Sequence, residues 1–491
     1  MPAGSILAID QGTTNTKVLL FAPDGSVIAR RSRAVAIAHP QAGWAEQSAD
    51  ALWHSVREAI DDILDATEGV SVEAIAIANQ RETVVVWDAE TGAPIAPAVT
   101  WQCRRSSDRC EALREEGLGA TIEAATGLAV DPLFPAAKLA WILDHVEGAR
   151  DRAAKGQLRA GTVDSWLIWK LTGGLHATDF SNASRTQLFD LTRLDWSDAL
   201  AAIFDVPRAL MPEVRPSDAL FGRTAAGLGK IPAGVPIHAA IGDSHGALRA
   251  HGGGIAGRAK VTCGTGSSLM IATPERVASQ HGLSTTIAWA SDGAVRFALE
   301  GNVAVSGHAA AFAARLLGLA DEAALTALAE TVPGSDGVTF LPALAGLGAP
   351  HWHDRARGLV AGLSLSSTPA HVARATFEAI ALQIADLADA IAADLGSPLS
   401  ALTVDGGAAA NDFLVQMIAD FVARPVVRPE ALDASAYGAA CLAAARIGFD
   451  EFESARRAAV ADCFEPVMPE AARQQVRAQW RLAIDRARLG A

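Results

Sequence analysis

Apolar residues fall along this chain in two rhythms, short unbroken runs and longer stripes spaced three or four apart, and their alternation predicts an α/β fold. The first run, Ile6 to Ile9, meets the polar turn Gln11-Gly12-Thr13-Thr14, and a second run follows from Val18 to Phe21. Pro23-Asp24-Gly25 is turn chemistry, so Val27 to Ile37 reads as the third strand of a meander. Near the middle of the chain, Ala259 to Thr262 enters Cys263-Gly264-Thr265-Gly266-Ser267-Ser268, and Leu269 to Ala272 leaves it. A strand, Gly-Thr turn, strand unit therefore occurs twice. That repetition predicts two similarly built domains, residues 1–250 and 251–491, meeting at the glycines between Gly246 and Gly257.

Helical stripes separate the strands. Leu52, Val56, Ala59, Ile60, Ile63 and Leu64 form one that stops before Gly69. Another starts at Thr368-Pro369, an N-cap residue followed by proline at the first helical position, and carries Ile380, Ile384, Leu387 and Ile391 inward. Both are core stripes. The strand-like runs Ala74–Ala78, Pro236–Ile241 and Leu402–Val404 end in Asn79-Gln80-Arg81-Glu82, Gly242-Asp243-Ser244-His245 and Asp405-Gly406-Gly407. Ligand sites of α/β folds gather at such strand ends.

Composition narrows the classes. Half of the 491 residues are apolar, enough for a large core without disulfides. A formal net charge of −14, with no dense Lys/Arg block, argues against a nucleic-acid partner. The five cysteines (Cys103, Cys110, Cys263, Cys441 and Cys463) stand singly, without CxxC spacing, and read as buried free thiols of a reducing compartment. Neither a signal-peptide pattern nor a membrane-length apolar run is present, so the expected location is the cytoplasm, with no membrane partner.

The polar turns carry the chemistry. Amides of a tight Gly/Thr turn can converge on one anion, and threonine hydroxyls add donors without charge. One such turn is ordinarily a hairpin connection; two at matching places can grip a polyphosphate from both sides. Asp10, at the end of the first strand, is placed to hold Mg²⁺ beside β- and γ-phosphates, and Lys17 on the returning strand can offset phosphate charge. The segment Asp405 to Asn411 follows a strand and opens a helix, and its glycines allow a flat ring such as adenosine close to the backbone. Asp243 is the candidate general base, while Arg81 and Glu82 supply the donor fork and acceptor that vicinal hydroxyls require.

The segments IDQGTT, NQRET, TWQCRR, TVDSWLIWKLTGG, TDFSNASRTQLFD, GDSHGAL, CGTGSSLM, FALEG, LAGLGAPHW and VDGGAAAN together resemble the FGGY carbohydrate kinases, closest to the glycerol kinase branch. The resemblance implies two ribonuclease-H-like domains of the actin-like ATPase superfold around an interdomain cleft, closing over MgATP and a small polyol or sugar. The first domain would carry the acceptor site and one phosphate turn, the second the nucleotide. It implies Thr13, Thr14 and Asn15 as phosphate-side contacts, Thr265 and Gly266 as contacts from the opposite domain, and Gly407 and Asn411 at the nucleotide end. On the acceptor side it implies Arg81, Glu82, Trp101, Asp243 and an aromatic at Phe297. Relatives of this kind are often homodimers or homotetramers.

Departures from the glycerol kinase pattern bear on the acceptor. Leu133 stands where a tyrosine is usual, Ser244 followed by His245 where glutamine is usual, and Lys17 where arginine is usual. A pocket that loses two polar groups discriminates hydroxyls differently, so glycerol or a related polyol is the first expectation and a ketose such as xylulose the second. Xylulokinases resemble Gly-Gln-Met-His-Gly at the place of Asn79-Gln80-Arg81-Glu82-Thr83, which disfavours the second. An actin- or chaperone-like ATPase with a protein partner is the reading from another class, and it has no use for Arg81, Glu82 and Asp243 together.

Overall fold

The computed structural model describes residues 4–353, 355–430, 433–453 and 461–489. Its first sheet grows from the opening meander. Ser5–Gln11 (β1) pairs antiparallel with Asn15–Phe21 (β2), Ile9 facing Val18 and Asp10 facing Lys17, and Val27–Ala34 (β3) joins the free edge of β2. The third strand stops at Ala34 rather than Ile37; Arg30, Arg31 and Arg33 line this exposed edge and discourage further pairing. Val72–Asn79 (β4) and Ile237–Gly242 (β5) extend the sheet in parallel beyond β1, giving the order β5-β4-β1-β2-β3. Helix Ala49–Ala66 (α1), capped by the Ser48 hydroxyl, buries Leu52, Val56, Ala59, Ile60 and Ile63 in the core shared with β1, β2 and β4. Between β4 and β5 the chain builds a separate lobe that includes the helix Pro135–His145 (α2).

The second half repeats the plan. Arg258–Cys263 (β6), Ser267–Thr273 (β7), Ser284–Ser291 (β8), Ala294–Val303 (β9), Ala401–Asp405 (β10), Val426–Pro429 (β11) and Ala461–Phe464 (β12) stand in the order β8-β9-β7-β6-β10-β11-β12. An antiparallel β6-β7 hairpin with β10 parallel beside β6 mirrors β1-β2 with β4 beside β1. These are two ribonuclease-H-like domains.

One helix leads from the first domain into the second, and a long helix forms the core of the second. Asp243–Ala250 (α3) runs directly out of β5 and ends before the turn that enters β6. Pro369–Leu395 (α4) starts with the expected Thr368 N-cap and proline, His371 completing the capping box, and buries Ile380, Ile384, Leu387 and Ile391. Beyond it come Asp412–Val422 (α5) and Ala434–Ile447 (α6). One apolar cluster takes Ile6, Ala8, Ala74, Ala76, Ala78 and Ile241 from the first sheet, Met270 and Ala298 from the second, and Ala436 to Ala444 of α6. Alanines on β4 and α6 let these backbones come close. Where α3 crosses α6, a β-carbon on Gly438 would overlap the Gly246 carbonyl, and one on Gly246 would sit 2.7 Å from the Ser435 carbonyl.

Four cysteines are buried free thiols, but Cys463 is exposed, because it lies on β12 at the sheet edge. Among the described residues no helix is long and apolar enough to cross a membrane.

The α3–α6 crossing yields a direct expectation. Gly438→Ala forces two backbones apart and should destabilise the protein by about 1–3 kcal/mol, the usual range for overpacking. A thermal or denaturant melt checks it, and an unchanged midpoint would show that the crossing has slack.

Candidate active site

The polar strand ends meet in the cleft between the domains. At the first turn, the Gly12 amide donates to the Asn15 carbonyl (2.9 Å), while Thr14 and Asn15 remain exposed. Thr13 is fastened at both ends: its carbonyl accepts from Gln47 Nε2 (2.7 Å), and its hydroxyl accepts the Trp101 indole N–H (2.9 Å). The second turn is built alike. Gly264 N donates to Gly266 O (2.9 Å), the amides of Ser306 and His308 close on the Thr265 carbonyl, and the Thr265 side chain is exposed. Only glycine fits at 266, where a β-carbon would lie 2.5 Å from the Val303 carbonyl.

On the other side of the cleft a group of charges is locked together. Glu82 takes left-handed backbone (φ 59°) as the chain leaves β4. Arg81 Nη2 donates to Glu300 Oε1 (2.8 Å), and Arg81 Nε lies 3.5 Å from Asp243 Oδ1. Arg185 Nε donates to Glu82 Oε1 (2.6 Å), and its Nη1 forms an ion pair with Glu300 Oε2 at 2.7 Å. Ser268 Oγ donates to Glu300 Oε1 (3.0 Å). Arg185 and Glu300 have no exposed side-chain surface. Charges so deeply buried are tolerated only when matched, and here two guanidinium groups face Glu82, Glu300 and Asp243.

Electrostatics then divides the carboxylates. Burial opposes ionisation of Glu300, but Arg185 and Arg81 outweigh it and hold its carboxyl far below the usual range. Burial wins at Asp243, which is pushed up despite Arg81, although about a third of its side chain (34%) meets solvent. Asp10 is pushed up to about 7 by burial, with Lys17 opposing and Asp243 and Asp433 adding to the rise. His245, fully buried, is held well below its ordinary value by burial and then by Arg81; its imidazole is neutral.

Most of the residues singled out from sequence come together here, with instructive exceptions. Phe297 does not. It lies three residues before Glu300 on β9, so the two side chains leave opposite faces, and the half-buried Phe297 packs against the core cluster that includes Ile287. Lys17 donates to Asp433 Oδ1 (2.9 Å), a residue Arg30 also reaches (3.1 Å), so its charge is engaged from the second domain. Asn411 caps α5, accepting from Leu414 N (3.2 Å) and donating to Thr326 Oγ1 (2.9 Å). Above Gly407 a β-carbon would meet nothing within 4 Å, leaving an open face. Leu133 is held by its backbone, N to Asp131 Oδ1 (2.8 Å), and Ser244 N donates to Asp243 Oδ1 (2.6 Å). Arg185, Glu300 and Asp433 were not foreseen. The signal available for Glu300 was a carboxylate amid the apolar run of β9, since a lone charge in a buried strand demands a partner.

This charge group makes stability at low pH measurable. Glu300 contributes stability that is complete above its unfolded value near 4.5 and is lost as pH falls toward its lower folded value. Glu300→Gln should therefore cost about 3–5 kcal/mol at neutral pH, as expected for breaking a buried ion group. It should also flatten the loss of stability below about pH 4.5. Parallel denaturant titrations of both proteins at pH 7 and pH 4 read both effects, and equal slopes on the acid side would contradict the assignment.

Comparison with known proteins agrees with this geometry. Residues 5–249 match the N-terminal domain and residues 259–447 the C-terminal domain of the FGGY family of carbohydrate kinases. An apulose kinase of Pectobacterium atrosepticum is 45% identical over 99% of this chain and 98% of its own. A glycerol kinase of Symbiobacterium thermophilum is 43% identical over 99% of each. Among solved structures, Plasmodium falciparum glycerol kinase with ADP superposes with a TM-score of 0.92 at 28% identity, covering 99% of this chain and 98% of that one. A xylulose kinase of Rhodospirillum rubrum gives 0.84 at 27% identity, covering 98% and 97%. The chain belongs to the FGGY family of carbohydrate kinases, phosphotransferases with an alcohol group as acceptor.

Proposed function

We propose that the chain transfers the γ-phosphoryl group of ATP to a terminal hydroxyl of a small polyol, glycerol or a close relative, with Asp243 as general base. The observation that carries this is the placement of Asp243: first residue of α3, partly open to the cleft, flanked by Arg81, its carboxyl raised by burial. As the acceptor oxygen bonds to the γ-phosphorus, the bond from that phosphorus to the ADP oxygen breaks and the hydroxyl proton passes to Asp243. Arg81, held from behind by Glu300, and Glu82, held by Arg185, orient the acceptor hydroxyls, with Trp101, Leu133 and Ser244 completing the wall. Residues 1–250 supply this acceptor side, and residues 251–491 supply the nucleotide side.

Thr13, Thr14 and Asn15 on one turn and Thr265 and Gly266 on the other grip the phosphates, with adenosine over Gly407 and Asn411. Lys17, which gives one ammonium hydrogen to Asp433, would add positive charge beside the phosphates. A hard cation fits beside Asp10, because a carboxyl raised by burial, and further by Asp243 and Asp433, gains from one, and Mg²⁺ needs few protein ligands when water and phosphate fill its shell. Bound there, Mg²⁺ would neutralise charge on the phosphates. A homodimer or homotetramer belongs to the same reading, and sedimentation equilibrium measures it.

A ketose acceptor is the second reading. Leu133 and Ser244 depart from the glycerol kinase pattern, and an apulose kinase is 45% identical over nearly the full length.

Two measurements test the proposal. Asp243→Asn should lower kcat by about 10²- to 10⁴-fold while leaving ADP affinity within about twofold, and near-normal turnover would remove Asp243 as the base. Coupled ADP release should rise with at least one of glycerol, erythritol, a pentitol, xylulose or apulose. If none raises it while a protein partner does, the kinase reading fails.

A further inference from the structure

Lys138 has no exposed surface, which is rare for lysine. It is the fourth residue of α2, and its amine reaches two loops far apart in sequence: Nζ donates to the Glu82 carbonyl (2.9 Å) and to the Leu133 carbonyl (2.7 Å). Glu82 needs such a tie. Its left-handed backbone is unfavourable for a residue with a side chain and persists only where its surroundings fix it. Arg185 fixes its carboxylate and Lys138 its carbonyl, so the residue is pinned at both ends. Leu133 is pinned likewise, its amide on Asp131 and its carbonyl on Lys138.

The chemistry suits an uncharged amine. A neutral –NH₂ has two hydrogens, and two carbonyls take both; an ammonium carries a third, which is costly to bury without a partner. Burial pulls the Lys138 amine down to about 7, with Glu82, Cys103, Asp131 and Cys110 facing it and opposing that fall.

We propose that Lys138 is a positioning residue for the acceptor: by tying the Glu82 and Leu133 carbonyls to one amine, it sets the Arg81-Glu82 arm against the Asp131–Phe134 loop and so preforms one wall of the acceptor pocket. The inference rests on the reading that these two loops face the acceptor. Lys138 touches neither nucleotide nor reacting atoms in this account, so its loss should act on acceptor binding alone.

The test uses the full chain, with glycerol, xylulose and apulose as acceptor probes, reading turnover kinetics, acceptor binding by calorimetry, ADP binding and melting temperature. Lys138→Met, similar in length but without a donor, should raise the KM or Kd of the best acceptor about 10- to 100-fold, with kcat and ADP affinity changing less than about threefold, as expected for losing two buried hydrogen bonds at a binding wall. Lys138→Gln, which keeps an uncharged group with two hydrogens, should recover part of that loss. An unchanged acceptor KM in Lys138→Met overturns the proposal. So does a parallel loss of acceptor binding, ADP binding and folding in both variants, which would make Lys138 a core residue only. If the wild-type protein binds a probe without phosphorylating it, the proposed function fails while the Kd comparison still decides the role of Lys138. If it neither binds nor phosphorylates any probe, both fall.

Discussion

The ion group of Arg81, Arg185, Glu82 and Glu300 is the constraint on which the rest of the cleft depends. Arg81, Glu82 and Arg185 come from the first domain and Glu300 from the second, so the group can be complete only when β4 and β9 are brought within side-chain reach. Burial makes it decisive. An unmatched charge at this depth would cost several kcal/mol, so the sequence tolerates four such residues only in the arrangement that pairs them. Arg81 is thereby fixed with its Nε toward Asp243, and the group that binds the domains together also sets the environment of the proposed base.

Around that group the fold works by close approach. Helices α3 and α6 pass between the sheets on glycine and alanine, and the Asp10 carboxyl, raised first by burial, is raised further by Asp243 from one helix and Asp433 beside the other. Lys17 and Arg30 both pair with Asp433, so that carboxylate is matched by two cations of the first domain. The proposed phosphate turns sit at the ends of β1 and β6, equivalent places in the two repeats, so one folding plan delivers two Gly-Thr turns of the kind that suits an anion.

Local chemistry was legible in the sequence and tertiary pairing was not. The Gly-Thr turns, the Thr368-Pro369 helix start and the polar ends of β4, β5 and β10 follow from spacing and turn residues, and all lie where spacing placed them. Glu300 and Arg185 escaped, because what they do depends on residues more than a hundred positions away. Phe297 shows the limit most clearly. It stands in the same five-residue segment as Glu300, and only the alternation of the strand separates a residue that joins the ion group from one that packs, half-buried, on the opposite face. The acceptor is the other gap: Leu133 and Ser244 depart from a pattern, yet a missing hydroxyl or amide does not by itself name the ligand that replaces it.

The central claim is that Arg81 and Glu300 act as one unit in presenting the acceptor to Asp243. A double-mutant cycle of Arg81→Met and Glu300→Gln, read in kcat/KM for the best acceptor, tests it most directly. The account predicts strong non-additivity, with the double variant no more impaired than the worse single variant. Losses that add to within about 0.5 kcal/mol would contradict it, because that is the behaviour of independent sites.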